Sequence, residues 1–296
     1  MIPTVGSYFC GAGLMDTGLL EAGLNITKAF ELDADAVATY RHNIGSHIKH
    51  CDISKELVLE QDSVDWMVFT YPCTKYSTAA DIRQTRTGDE LFLHALRHIA
   101  IASPEGYLIE NVPGMRVFKV VMEAMTRLPG YYVNVFCPVH THHWLPQRRD
   151  RLMIFGTKRP FSIRPPAYVK PISLSEIVES DPCVTRPAAI EKRMRGHYRD
   201  LPIISDPQKG DLAPTAVAHY ARDKSTRLLA DKRYPLGVRP YSVREYARLQ
   251  GLDDSFVFPV SDTAAYRQIG NGVPRHMARW AGSEIMRYHR SYSHKI

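Results

Sequence analysis

The sequence predicts an α/β fold, a doubly wound and mostly parallel sheet of Rossmann-like type, with a small basic domain inserted late in the chain. Three observations predict it. Apolar runs of strand length alternate with helix-length stretches through the first 156 residues. Ten prolines between positions 160 and 235 then interrupt any long helix. Residues 157–239, which enclose that region, hold the whole excess of positive charge.

The elements follow in order. Residues 4–9 are a short apolar run ending in the turn Gly11, Ala12, Gly13, and Leu14, Leu19, Leu20 and Ala22 continue at near-helical spacing. Residues 27–31 predict a second strand and 35–43 its helix, and residues 50–53 a weak third strand. Residues 65–70 (DWMVFT) are a buried-type strand that runs into Pro72 and Cys73. A helix is expected over 91–102, a strand over 106–110 (GYLIE), a helix over 117–127, and strands over 131–137 and 151–156. Ser242, with Glu245 three residues later, has the spacing of a capping box for a helix over 242–250. A last helix over 274–288 follows the turn Gly270, Asn271, Gly272. The expected division is an α/β domain over 1–156, an inserted small basic domain over 157–239, and a hinge helix with the return to the first domain over 240–296.

Composition narrows the class. A chain of 296 residues holds one large domain, or a medium one with a smaller companion. Hydrophobic residues at 44% and charged residues at 23% fit a soluble globular protein. No apolar run is long enough to span a bilayer, and the N-terminus lacks the features of a signal peptide. Five cysteines (10, 51, 73, 137, 183) are odd in number and form no CxxC pair. That argues against a disulfide framework or zinc site and for a reducing, cytoplasmic setting. The formal charge is +7; residues 157–239 carry 16 Lys and Arg against 9 Asp and Glu, while the rest balances at 22 each. A basic segment attracts polyanions, nucleic acid above all, by releasing counterions from phosphates, or it serves as a solubilising surface.

Four polar signals fall at predicted strand ends, where open α/β sheets bind ligands. The glycines of "FCGAG" let backbone approach a ligand, and Glu31, 18 residues after Gly13, is placed to hold ribose hydroxyls. Cys73 is a candidate nucleophile or a small buried residue in a turn. Glu110 closes an apolar strand, a costly place for a carboxylate without a partner, and serves chemistry or caps the next segment. "QRRDR" (147–151) clusters three guanidiniums suited to phosphates or carboxylates. His140, His142 and His143 have no partner ligands at metal spacing and are read as loop.

Taken in series, "FCGAGLMDTGLLEAGL", "FELDADAVATYRHN", "YPCTKYS", "IENVPG", "PQRRDRLMIFG", "VREYARLQG" and "YRQIGNGVP" resemble the DNA cytosine-5 methyltransferase family, in its order and across about 275 residues. The resemblance implies transfer of a methyl group from S-adenosylmethionine to carbon 5 of a flipped-out cytosine, with no metal. It implies that Cys73 is the nucleophile, that Glu110 holds the ring's N3 and exocyclic amine, and that Arg149 and Arg151 orient the base and catalytic loop. Phe9, Gly11, Gly13, Glu31, Asp52, Pro72, Asn271 and Val273 correspond to the cofactor pocket, residues 74–90 to a loop closing over the base, and 157–239 to the recognition domain. The implied partner is double-stranded DNA and the implied setting restriction–modification, with a cytoplasmic monomer of bacterial or phage origin. A branch of the family acting on tRNA is the alternative. The chain departs from the pattern at Thr74, where glutamine is usual, and at Leu14, where a glycine is expected. Its recognition segment, about eighty residues, is short.

Overall fold

The computed structural model describes residues 2–72, 91–197, 200 and 202–293. Cys73 and the 74–90 stretch therefore lie outside the described residues. The chain forms two compact units, one of Met1–Val139, Asp150–Pro166 and His276–Ile296, the other of His140–Arg149 and Ala167–Arg275. The second unit thus takes in residues 140–149 and 240–275, which composition alone assigned to the catalytic domain.

In unit 1 the described elements run β1 (Thr4–Tyr8), α1 (Leu14–Glu21), β2 (Asn25–Glu31), α2 (Ala34–Asn43), β3 (Ile48–His50), β4 (Trp66–Phe69), α3 (Leu91–Ala102) and β5 (Gly106–Asn111). A 3-10 turn (Pro113–Val117), α4 (Lys119–Thr126), β6 (Tyr132–His140) and β7 (Asp150–Thr157) follow, and the C-terminal helix Arg275–Ser293 completes the unit. The sheet order is β3-β2-β1-β4-β5-β7-β6. β1 to β5 pair in parallel, whereas β7 runs antiparallel to β5, with Glu110 opposite Met153 and Asn111 opposite Leu152.

The parallel strands are apolar on both faces because helices cover both. All four residues of β4 are fully buried, each contributing about 1.5–3 kcal/mol relative to exposure. Tyr8 stacks between Phe30 and Phe69 at centroid distances of 4.8 and 4.6 Å, joining three neighbouring strands on one face of the sheet. The third strand lies two residues ahead of its expected place. The Asp52 carboxylate accepts from the Ser54 amide and turns the chain away from the ladder. The helix expected over 117–127 begins at Lys119, because Phe118, at φ −88° and ψ 85°, is non-helical and separates the 3-10 turn from α4.

Unit 2 contains α5 (Leu174–Ile177), α6 (Ala189–Arg195), a three-stranded sheet of β8 (Ile203–Ser205), β9 (Arg227–Ala230) and β10 (Val238–Pro240), then α7 (Val243–Leu249) and α8 (Asp262–Asn271). The capping box of α7 is present: Ser242 Oγ accepts from the Glu245 amide, and Glu245 Oε2 accepts from the Ser242 amide. Fully buried Glu245 also takes a two-pronged pair from fully buried Arg239, at 2.8 and 2.6 Å, while Arg239 Nε reaches Asp231 at 2.8 Å. Four tyrosines, 220, 241, 246 and 266, pack beside this network. Among the described residues no helix is long and apolar enough to cross a membrane.

Candidate active site at the carboxyl edge of the sheet

The strand order reverses between β1 and β4, and ligands of open α/β sheets bind in the crevice at such a point, beyond the carboxyl ends of the strands. Several segments of unit 1 are tied together there. Phe9, directly after β1, sits at φ 57°, a left-handed conformation costly for an aromatic residue, and its carbonyl accepts from Thr70 Oγ1 at 2.9 Å. Strain of this kind persists only where surrounding bonds fix it. Gly11 (φ 56°) has open space where a Cβ would stand. Gly13 (φ 85°) is pressed against the rings and methyls of Tyr40 and Ile44, leaving no room for a side chain.

Glu31, at the end of β2, organises this turn. Its Oε2 accepts from the Gly11 amide at 2.8 Å, and its Oε1 accepts from the Leu32 and Asp33 amides at 2.9 and 2.8 Å. A carboxylate offers about four acceptor sites, so room remains for one ligand hydroxyl. The Cys51 amide donates to the Glu31 carbonyl at 2.8 Å, which brings Asp52 to the neighbouring strand end. Bonds from the Ser54 hydroxyl and amide hold the Asp52 carboxyl below its ordinary value, with Lys55 adding a smaller pull in the same direction. Asp52 is thereby an ionised acceptor suited to an amino donor.

Glu110 is 6% exposed, and its Oε1 lies 2.6 Å from Nε of Arg151, itself 8% exposed. The antiparallel direction of β7 makes this possible, because its first residues come to the edge where β5 ends. Arg151 Nη1 also donates to the Asp150 carbonyl, fixing the plane of the guanidinium. The adjacent Asn111 donates from Nδ2 to the Tyr71 carbonyl at 3.2 Å and accepts from the Val112 amide. It anchors the Tyr71 and Pro72 segment that leads to Cys73. Its grip on Tyr71 had no signal in the sequence because the partner is 40 positions away. Pro72 is exposed beside it.

Arg149, Asn271 and Val273 belong to unit 2. Arg149 is buried, donating from Nη1 to the Ala216 carbonyl at 2.7 Å and from Nη2 to the Gly270 and Gly272 carbonyls at 2.9 and 2.6 Å. These bonds brace the turn that carries exposed Asn271 and buried Val273. Gln147 and Gln250 brace the same region through the Leu249, Ala216 and Ile269 backbone, roles the "QRRDR" and "RLQG" stretches did not disclose. His140, His142 and His143 cluster with ring centroids 4.7 to 5.6 Å apart around a 3-10 turn.

Comparison with known proteins accords with this arrangement. The sequence model of the C-5 cytosine-specific DNA methylase family matches residues 4–287. The Type II methyltransferase M1.ScrFI of Lactococcus lactis subsp. cremoris is 31% identical over 268 residues, covering 82% of this chain and 67% of that protein. The Type II methyltransferase M.Eco47II of Escherichia coli is 27% identical over 332 residues, covering 96% and 78%. Among solved structures, the Entamoeba histolytica methyltransferase EhMeth superposes with a TM-score of 0.75 at 16% identity, over 97% of this chain and 98% of that one. The S. pombe Dnmt2 methyltransferase superposes with a TM-score of 0.74 at 18% identity, over 97% and 99%. At those identities the structures speak for the fold alone.

Proposed function

This chain belongs to the C-5 cytosine-specific DNA methylase family and is a DNA (cytosine-5)-methyltransferase, and on that premise we propose that it acts through a covalent Cys73 adduct on a flipped-out cytosine, with S-adenosylmethionine as donor. The observation that carries the reading is the buried Glu110–Arg151 pair, 2.6 Å long, at the strand end next to the segment leading to Cys73.

The chemistry explains why these residue types are needed. Carbon 5 of cytosine is a poor nucleophile until a thiolate adds to carbon 6 and converts the ring to an enamine. Cysteine suits the step because its thiolate is strongly nucleophilic even when sparsely populated. Glu110 holds N3 and the exocyclic amine and supplies a proton to N3 as electron density arrives there. Arg151 holds the Glu110 carboxyl group in place. After transfer, solvent takes the carbon 5 proton, the electron pair left behind expels Cys73 as thiolate, and N3 returns its proton to Glu110, leaving 5-methylcytosine.

The donor fits the residues present. Gly11 leaves backbone open to a ligand, Glu31 keeps an acceptor site beside it, and Asp52 is an ionised acceptor at the next strand end. Glu31 would hold the ribose, Asp52 the adenine amine, and Phe9, Gly11, Gly13 and Pro72 the pocket wall; the family resemblance assigns Asn271 and Val273 to cofactor binding as well. Bound there, S-adenosylmethionine supplies an electrophilic methyl group.

A duplex must release the target base first, at a cost of a few kcal/mol that protein–DNA contacts offset. The basic stretch 157–239 is the proposed source of those contacts, in a monomer acting on double-stranded DNA. The test is bisulfite sequencing of DNA from a host expressing the protein, alongside methylation of DNA and tRNA in vitro. Context-specific 5-methylcytosine in DNA is expected; methylation of tRNA alone would overturn the substrate assignment.

A further inference from the structure

Behind the 9–13 turn lies a carboxylate with no part in the reaction described above. Asp16, in the first turn of α1, is fully buried. Its Oδ1 accepts from Ser7 Oγ at 2.7 Å, and its Oδ2 accepts from the Tyr40 hydroxyl at 2.8 Å. Tyr40 is itself fully buried, and its ring is one of the two side chains packed against Gly13. Its hydroxyl also meets Nε2 of exposed His47 at 3.1 Å. A chain of hydrogen bonds thus runs from the turn to the surface.

These distances allow two arrangements of protons with equal numbers of bonds. With Asp16 ionised, Tyr40 donates to Asp16, and His47 donates from Nε2 to Tyr40. With Asp16 protonated, Asp16 donates to Tyr40, Tyr40 donates to Nε2, and a proton from solvent resides on Nδ1 of His47. What changes is one negative charge behind the turn. That charge is felt there, since burial first, then Asp16 and Glu31, push the Cys10 thiol up. The groups facing Asp16 are Ser7 of β1, Cys10 of the turn and Tyr40 of α2, with His47 beyond and Glu31 at the end of β2. At the other end of α1, Glu21 is paired with Arg279.

We infer that Asp16 is a positioning residue that fixes Ser7 and Tyr40 around the 9–13 turn and that its negative charge makes the site prefer a sulfonium to the neutral thioether left after transfer. The inference rests on the reading of that turn as the S-adenosylmethionine site. Opposite charges attract strongly through protein interior, so the preference should be sizeable.

The test is equilibrium binding of S-adenosylmethionine and of S-adenosylhomocysteine by titration calorimetry at pH 5 and pH 7, for the wild-type protein, Asp16→Asn and Tyr40→Phe. The wild-type preference for the sulfonium should rise about threefold or more between the two pH values, an effect of the order expected for one charge acting through partly screened protein. Asp16→Asn should show the low preference at both. Tyr40→Phe, which removes a donor to the carboxylate and the route to His47, should move the wild-type rise to higher pH. A wild-type preference that is the same at pH 5 and pH 7, or an unchanged preference in Asp16→Asn, would overturn the inference while leaving the cofactor assignment intact. Binding of neither ligand would overturn the cofactor assignment, and this inference with it.

Discussion

Replacing Arg151 with leucine strips Glu110 of its charge partner while keeping apolar volume at the start of β7. Both side chains are nine-tenths buried and in contact at 2.6 Å. Removing one member of such a pair strands the other charge, at a cost of about 3–5 kcal/mol. At a urea slope of about 3 kcal/mol per molar, the unfolding midpoint should fall by about 1–1.7 M with the slope unchanged. Arg151→Lys should be intermediate, because one ammonium replaces a planar group that bonds Glu110 and the Asp150 carbonyl at once. The double variant Glu110→Leu, Arg151→Leu should regain much of the loss, giving a coupling of about 2 kcal/mol or more in a double-mutant cycle. A midpoint shift worth under about 1 kcal/mol for Arg151→Leu, or single-variant losses that simply add, would refute the pairing as the element that holds Glu110 in place.

Three further outcomes follow from the same geometry. Gly13→Ala places a Cβ 2.2 Å from Ile44 Cδ1 at φ 85°; it should cost about 2 kcal/mol in thermal stability and weaken S-adenosylmethionine binding measured by calorimetry. Arg149→Lys cannot span three carbonyls; it should destabilise unit 2 by about 3 kcal/mol and speed amide exchange at Asn271 and Gly272, read by mass spectrometry. Burial raises the Asp16 carboxyl from 3.8 to about 6. Its contribution to stability is therefore fully present below about pH 4 and is lost as pH rises through 6, by about 3 kcal/mol. Urea midpoints at pH 4 and pH 8 should show this loss in the wild-type protein and its absence in Asp16→Asn.

Local chemistry made much of the fold legible. The alternation of WMVF-type runs with helix-length stretches placed β4, α3 and β5 within a residue or two, because strands buried on both faces must be continuously apolar. The Ser242 and Glu245 spacing located α7, because a capping box is a contact across three residues. Features decided at long range were hidden. The antiparallel direction of β7 cannot be read from its composition, yet it alone brings Arg151 to Glu110. The α6 helix and most of the β8–β10 sheet lie in a proline-rich stretch whose periodicity is weak, and tertiary contacts such as the Arg239 network decide them. In the site, Glu31 and Glu110 were visible as carboxylates at strand ends. Asp16 was not, since its partners Ser7 and Tyr40 are 9 and 24 positions away. Arg149 and Arg151 read alike in "QRRDR", but Arg149 precedes β7 and bonds the Ala216, Gly270 and Gly272 carbonyls, whereas Arg151 lies in β7 and pairs with Glu110.

The central claim, that Cys73 attacks the cytosine ring while Glu110, held by Arg151, grips it, is tested most directly with duplex DNA carrying 5-fluorocytosine at the methylated position. Fluorine at carbon 5 cannot leave as a proton does, so the adduct should persist after methyl transfer. Incubation with S-adenosylmethionine should give a denaturant-stable protein–DNA complex in the wild-type protein, none in Cys73→Ala, and a much slower one in Arg151→Leu. A Cys73→Ala protein that still forms the complex, or that methylates DNA at the wild-type rate, would contradict the account.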